Sequence, residues 1–233
     1  MQYFWANKKW NNFSASLLFL NNGFQKFNDD NIGDGTNDLQ TFGTHLKTKL
    51  GNFALAANIY GQSGKNPAGA KIKSAYLASI DGSIKVGKTT LGLGFETISG
   101  KDLSSSDNAA FFPIFGTNHK FNGFMDYFYV GNHAYSQGLN DIHISATFPI
   151  GKAKLMAKVL HFSSAEKLAS GKTELGTEID LVLTYKVKPA VTLKAGYSQM
   201  FASDGMKELK NVSTPQNNQN WAWTMLVIKP KFL

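Results

Sequence analysis

Period-two alternation of apolar and polar residues recurs along nearly the whole of this 233-residue sequence, and the segments that carry it are joined alternately by short and long connections. No helical period competes over a comparable length. Together these observations predict an all-β fold of a particular kind, an antiparallel transmembrane β-barrel of the outer membrane with about 11–12 strands in this chain. Residues 177–188 show the pattern most clearly. Thr177, Ile179, Leu181, Leu183, Tyr185 and Val187 make one face; Glu178, Asp180, Thr184, Lys186 and Lys188 make the other, with Val182 the exception. Residues 141–150 set Ile142, Ile144, Ala146, Phe148 and Ile150 against Asp141, His143, Ser145 and Thr147. Residues 191–201 set Val191, Leu193, Ala195, Tyr197 and Phe201 against Thr192, Lys194, Gly196 and Ser198. Weaker versions predict strands over 12–24, 39–50, 53–61, 71–86, 89–98 and 152–162. Residues 2–6 read as the tail of a strand and 220–233 as a closing strand with both faces apolar, giving eleven. A twelfth is open at 121–130.

The short connections are Asn7-Lys8-Lys9, Gly51-Asn52, Gly87-Lys88, Gly151-Lys152 and Lys188-Pro189, all hairpin-turn sequences. The long ones are 25–38, 62–70, 99–140, 163–175 and 202–219, rich in Asn, Asp, Ser and Gly. A soluble β-sandwich has no reason to alternate them. An outer-membrane barrel does, with short periplasmic turns, long outer loops, and strands that face lipid on one side and a wet lumen on the other. Trp5, Trp10, Tyr60, Tyr185, Tyr197, Trp221 and Trp223 lie near strand ends, where an interfacial aromatic girdle is expected.

Composition narrows the function classes. Charged residues are 17%, against roughly 25% in soluble domains. There is no cysteine, hence no disulfide or thiolate metal site. No apolar run approaches the ~18 residues of a membrane-spanning helix. The net charge is +8, and all 24 basic residues are Lys. The lack of Arg argues against a nucleic-acid partner. Eleven strands put the termini on opposite sides of the membrane, whereas bacterial barrels carry an even number. Residues 1–233 are therefore expected to form one barrel domain that is incomplete at its N-terminus, with 99–140 as a long outer excursion. The opening Met1-Gln2-Tyr3-Phe4-Trp5, with neither the basic start nor the apolar core of a signal peptide, agrees with this.

Several stretches resemble the alginate-export family of outer-membrane porins. They are His119-Lys120-Phe121-Asn122-Gly123-Phe124-Met125-Asp126-Tyr127-Phe128-Tyr129-Val130-Gly131-Asn132, Leu175-Gly176-Thr177-Glu178-Ile179-Asp180, Ala195-Gly196-Tyr197-Ser198-Gln199-Met200-Phe201 and Asn220-Trp221-Ala222-Trp223. The resemblance covers most of 110–233 and more loosely 1–110. It implies a barrel of roughly eighteen strands that passes an anionic polysaccharide or other small solutes by passive diffusion. Two departures stand out. The family's upstream Arg-rich strands have no counterpart here, and the chain ends Phe232-Leu233 where outer-membrane proteins usually end on the aromatic. The implied surroundings are membrane lipid, lipopolysaccharide and other outer-membrane proteins. No cofactor is implied. A structural or accessory barrel without transport of its own is the alternative reading.

By alternation, the expected lumen-facing residues are His45, Lys47, Lys49, Lys71, Lys73, Glu96, Asp141, His143, Lys154, Lys158, Glu178, Asp180, Lys186 and Lys194. Lys is in the majority, and a hydrated point charge attracts an anion without gripping it. Glu178 and Asp180 are expected to balance Lys186 and Lys154 rather than to catalyse. Asp141, His143 and Ser145 superficially suggest a hydrolase, but two-residue spacing along a strand separates the side chains by ~6–7 Å and puts them on the wrong face for a lipid substrate. In the acidic loop 28–38, Asp30, Asp34 and Asp38 are weak calcium candidates. The strict calcium-loop pattern fails at Ile32 and lacks its distal Glu.

Overall fold

The computed structural model describes residues 1–116, 119–212 and 218–230, without the side chains of Val130 and Gly131. Eleven strands follow one another in a single antiparallel sheet in sequence order: β1 (Gln2–Lys9), β2 (Phe13–Phe27), β3 (Gly33–Leu50), β4 (Phe53–Lys65), β5 (Lys71–Val86), β6 (Thr89–Ile98), β7 (Leu139–Ile150), β8 (Ala153–Ser163), β9 (Glu174–Lys188), β10 (Val191–Ala202) and β11 (Asn218–Ile228). Two short helices sit in the long connections, α1 (Val130–His133) between β6 and β7 and α2 (Asp204–Leu209) between β10 and β11. The sheet is open, with β1 and β11 at its edges.

The short turns pivot on Gly51, Gly87 and Gly151, each at φ of 56–60°, a left-handed conformation that glycine adopts without strain. Their neighbours are the strand ends the alternation anticipates. At the opposite end the strands overrun their expected limits. Polar residues Thr36, Asn37 and Asp38 of β3 pair with Gln25, Phe24 and Gly23 of β2. Backbone pairing continues there after the apolar alternation stops, because a ladder standing in water needs no lipid-facing side chain. The first hairpin turn also lies at residues 10–12 rather than 7–9, closed by Trp10 N–H donating to the Phe13 carbonyl.

One face of the sheet is apolar and exposed. Leu17, Phe42, Ile59, Ile80, Leu93, Ile144, Leu193 and Leu226 all stand on it. The opposite face, here the inner face, holds the buried core. Leu39, Ile98, Leu139, Leu160, Phe162, Leu175 and Met200 line its long-loop half, under Phe111 and Phe128 of the 99–138 connection and Met206 of α2. The inner face, expected to be polar, is therefore largely apolar over its long-loop half and polar from mid-strand to the short turns. Residues 121–129 form turns and bends and Val130 opens α1, so this stretch is not a twelfth strand. The expected girdle divides. Tyr185 and Tyr197 belong to the exposed face. Tyr60, Trp221 and Trp223 stand on the inner face, as does Trp5, which pairs with Leu18. Trp10 lies in the first turn, against the Phe13 ring. Phe232-Leu233 and the end of the strand expected over 220–233 lie outside the described residues.

An apolar surface this continuous requires a hydrocarbon solvent, and a charge placed on it tests that. Ile144 lies midway along β7 and is 58% exposed. Ile144→Lys is expected to destabilise the full-length protein by about 2–4 kcal/mol in lipid vesicles, measured by urea titration. A near-zero change, as at an ordinary water-exposed site, would contradict the lipid-facing assignment.

Candidate functional site

Cross-strand register converts the inner face into rows of side chains. One row runs His45, Asn58, Ser79, Glu96, Asp141, Phe162; a second runs Lys47, Ala56, Asp81, Gly94, His143, Leu160, Glu178, Met200; a third runs Lys49, Ala54, Ser83, Gly92, Ser145, Lys158, Asp180, Ser198, Trp221. Nearer the short turns lie Lys85, then Lys154 with Thr184 and Lys194, then Lys186 with Thr192. Charge is thus sorted by height. Carboxylates gather at mid-strand and lysines toward the short turns.

The carboxylates are held by the connection between β6 and β7, which folds against this face. Glu96 and Asp141 are direct cross-strand neighbours, a like-charge pair that would repel. Asn122 Nδ2 donates to both, at 2.8 Å to Glu96 Oε1 and 3.2 Å to Asp141 Oδ2. Asn122 sits at φ 53°, a left-handed position Asn tolerates. Glu178, fully buried, accepts the backbone N–H of Phe124 at 2.6 Å and of Met125 at 2.9 Å. Gly123 makes that approach possible: a Cβ there would stand 2.6 Å from the Glu178 carboxylate. Asp180 accepts from the Ser198 hydroxyl at 2.5 Å. Neither Glu178 nor Asp180 pairs with Lys186 or Lys154, so the expected balance by lysine is replaced by loop amides and a serine. His143 sits between two acids, Nδ1 at 3.1 Å from Asp141 and Nε2 at 3.0 Å from Asp81. Gly94, between His143 and Asp81 in the row, leaves room for that contact, since a Cβ would meet the His143 ring at 2.3 Å. Both ring nitrogens are engaged by acids, which removes the hydrolase arrangement with Ser145.

The loop has three further anchors. Gln62, 3% exposed, clamps Phe112: its Oε1 accepts the Phe112 N–H at 2.7 Å, and its Nε2 donates to the Phe112 carbonyl at 2.7 Å and to Thr41 Oγ1 at 2.9 Å. Lys210, after α2, donates to the carbonyls of Tyr127 and Asn132. Burial pushes its amine down to about 8. His133, 8% exposed, points Nε2 at the Gly138 carbonyl at 3.1 Å, and burial holds its imidazole down at about 4.

Two expected positions are corrected. Lys71 and Lys73 are out of phase with the inner face, because a bulge at Ser74 (φ 55°) shifts the β4–β5 register and turns Ile72 inward instead. Lys73 pairs with Asp107 at 2.9 Å, at the long-loop rim. His45 contacts Asn58 at 2.6 Å. The calcium candidates do not converge: Asp34 pairs with Lys26 at 2.6 Å, Asp38 accepts from Thr36, and among the described residues no metal-binding group of three acids or histidines occurs. Alternation alone could have found Asp81 and Lys85. Gln62 and Asn122 carry no sequence signal beyond their loop partners, and Trp221, stacked on His119 at 4.6 Å, reads as a girdle residue until register is known.

Two measurements follow from the anchoring. Gln62→Ala deletes three hydrogen bonds, each worth about 1 kcal/mol. Trypsin cleavage after the exposed Lys120 is expected to accelerate by about tenfold or more. His133 is neutral in the folded loop and titrates at its ordinary 6.5 when the loop opens. Between those values the folded loop binds fewer protons, so its stability is full above pH 6.5 and falls as pH drops toward 4, by roughly 3 kcal/mol. The protection factors of residues 130–138, taken against the intrinsic exchange rate at each pH, are expected to fall on acidification, and His133→Phe is expected to flatten that response.

A comparison with curated proteins found no match. Among solved structures, OccAB4 of Acinetobacter baumannii superposes with a TM-score of 0.56 at 15% identity, over 96% of this chain and 53% of that one. OpdK of Pseudomonas aeruginosa, solved with vanillate, gives 0.58 at 14% identity, over 97% and 55%. OmpF of Salmonella typhi, in complex with daunomycin, gives 0.58 at 10% identity, over 93% and 57%. The chain spans little more than half the length of these outer-membrane proteins, and at such identities the likeness is one of fold. The family profile that matches is described as Gram-negative porin and covers residues 3–205. The shared ground with the alginate-export resemblance is thus the outer-membrane porin fold, not alginate export itself. This chain belongs to the Gram-negative porin family and is an outer-membrane protein.

Proposed function

We propose that the protein forms a passive diffusion channel whose inner wall favours small anions, acidic saccharides of the alginate type among them. The observation that carries this reading is the unequal state of the two charge sets. The mid-strand acids are engaged: Glu96 and Asp141 by Asn122, Glu178 by two backbone amides, Asp180 by Ser198, and Asp81 by His143. Toward the short turns, Lys47, Lys49, Lys85, Lys154, Lys186 and Lys194 have no carboxylate within 4.0 Å among the described residues. Unneutralised positive charge on a confining wall raises the local anion concentration. Lysine holds the anion loosely enough for it to leave. Vanillate, named with the structurally similar OpdK, is a carboxylate.

The test is the reversal potential of the full-length protein in asymmetric KCl. Chloride preference is expected. Lys49→Glu combined with Lys194→Glu is expected to lower the chloride-to-potassium permeability ratio severalfold at low salt, with the difference shrinking at high salt as screening sets in. Potassium preference in the unaltered protein would overturn the reading.

A further inference from the structure

Between two of the loop's clamps the chain stands away from the wall and encloses a space. At one end Gln62 holds Phe112; at the other Asn122 holds Glu96 and Asp141. The gap is a cavity of about 370 Å3, floored by the inner face of β2–β6 and roofed by residues 111–116, 121–122 and 128–129. That volume falls in the ~300–1,000 Å3 range of small-molecule sites. Its lining is chiefly apolar and aromatic, with Leu20, Leu77, Phe112 and Phe128 among the walls and Tyr60 as a polar-tipped one. Among the described residues, Glu96 is the single carboxylate in the lining, and no lysine contributes to it.

We propose that this cavity is a binding site for a small organic cation, a primary ammonium carried on a ring-sized apolar body. The ammonium would meet the Glu96 carboxylate. Glu96 has one hydrogen-bond donor, Asn122, at Oε1. Asp141 stands directly across the strand and Asp81 two residues beyond Ser79 on β5, with His143 between those two acids, so Glu96 is the carboxylate that meets the cavity. The apolar body would lie against Leu20, Leu77 and Phe112. Both clamps exist without the ligand, so little ordering is required on binding. The site is chemically opposite to the lysines near the short turns and lies at a different height on the wall. Glu96 Oε1 is held by Asn122, and the ammonium would meet the rest of that carboxylate, so cation binding is read by a measurement other than conductance.

Calorimetric titration of the detergent-solubilised full-length porin tests this without passing through conductance. The probes are 2-phenylethylamine at pH 7.5, the neutral isostere 2-phenylethanol, and the anion 3-phenylpropionate. Saturable binding of one amine per chain is expected, with the alcohol weaker by about tenfold or more, since a hydrogen bond to a charged group is worth ~1.5–3 kcal/mol, and with no binding of the acid. Glu96→Gln is expected to bring the amine down to the affinity of the alcohol. Leu77→Phe, which fills the cavity and leaves the carboxylate, is expected to abolish both, and it stands as the second variant should Glu96→Gln fail to fold. Equal affinity for amine and alcohol, tighter binding of the acid, or amine binding unchanged in Leu77→Phe would each overturn the proposal.

Discussion

Backbone amides in hydrocarbon have no water to bond, and this constraint organises everything else in the chain. Each strand must satisfy its N–H and C=O groups on its neighbours, which produces one continuous antiparallel ladder in sequence order. Because side chains alternate across the ladder, the same strands must carry lipid-compatible residues on one face and a separate chemistry on the other. Leu93 and Ile144, or Phe19 and Phe42, meet across strands on the exposed face. One residue along, Gly94 and His143, or Leu18 and Gly43, meet on the inner one. The overrun of β2 and β3 beyond the apolar pattern obeys the same rule, since pairing persists in water after lipid contact has ended.

A loop packed against the inner face raises the same problem in miniature. Where it is withdrawn from solvent, around residues 108–114 and 122–129, it belongs to no ladder, so side chains of the wall must substitute for strand partners. Gln62 imitates a neighbouring strand by bonding both the N–H and the C=O of Phe112. Glu178 does the acceptor half for Phe124 and Met125, and Lys210 the donor half for Tyr127 and Asn132. The apolar cluster of Phe128 on Phe162, with ring centroids 4.6 Å apart, supplies the burial that makes these bonds worth forming.

Engaging the acids with the loop has an electrostatic consequence. A wall carrying Asp81, Glu96, Asp141, Glu178 and Asp180 would by formal count be strongly negative at mid-height. With donors supplied by Asn122, the loop amides, Ser198 and His143, that negative charge is partly neutralised by dipoles and hydrogen bonds. The lysines nearer the short turns keep theirs. Position along the strand, rather than composition, therefore decides which charges face a solute.

The strands, their order, the short glycine turns and the membrane-facing surface are all legible in the sequence, because a two-residue period in side-chain polarity is a local property that survives whatever the strands pack against. The lysine-rich character of the inner face is legible for the same reason. Tertiary structure decided the rest. Lys71 and Lys73 left the inner face because one left-handed residue, Ser74, shifts the phase, and no alternation rule can foresee a bulge. Trp221 and Trp223 turned inward because cross-strand register, not nearness to a strand end, sets a side chain's face. The path of residues 99–138 depended on contacts between positions far apart in the chain, such as Gln62 with Phe112 and Glu178 with Phe124, and those contacts leave no periodic trace because each is made once.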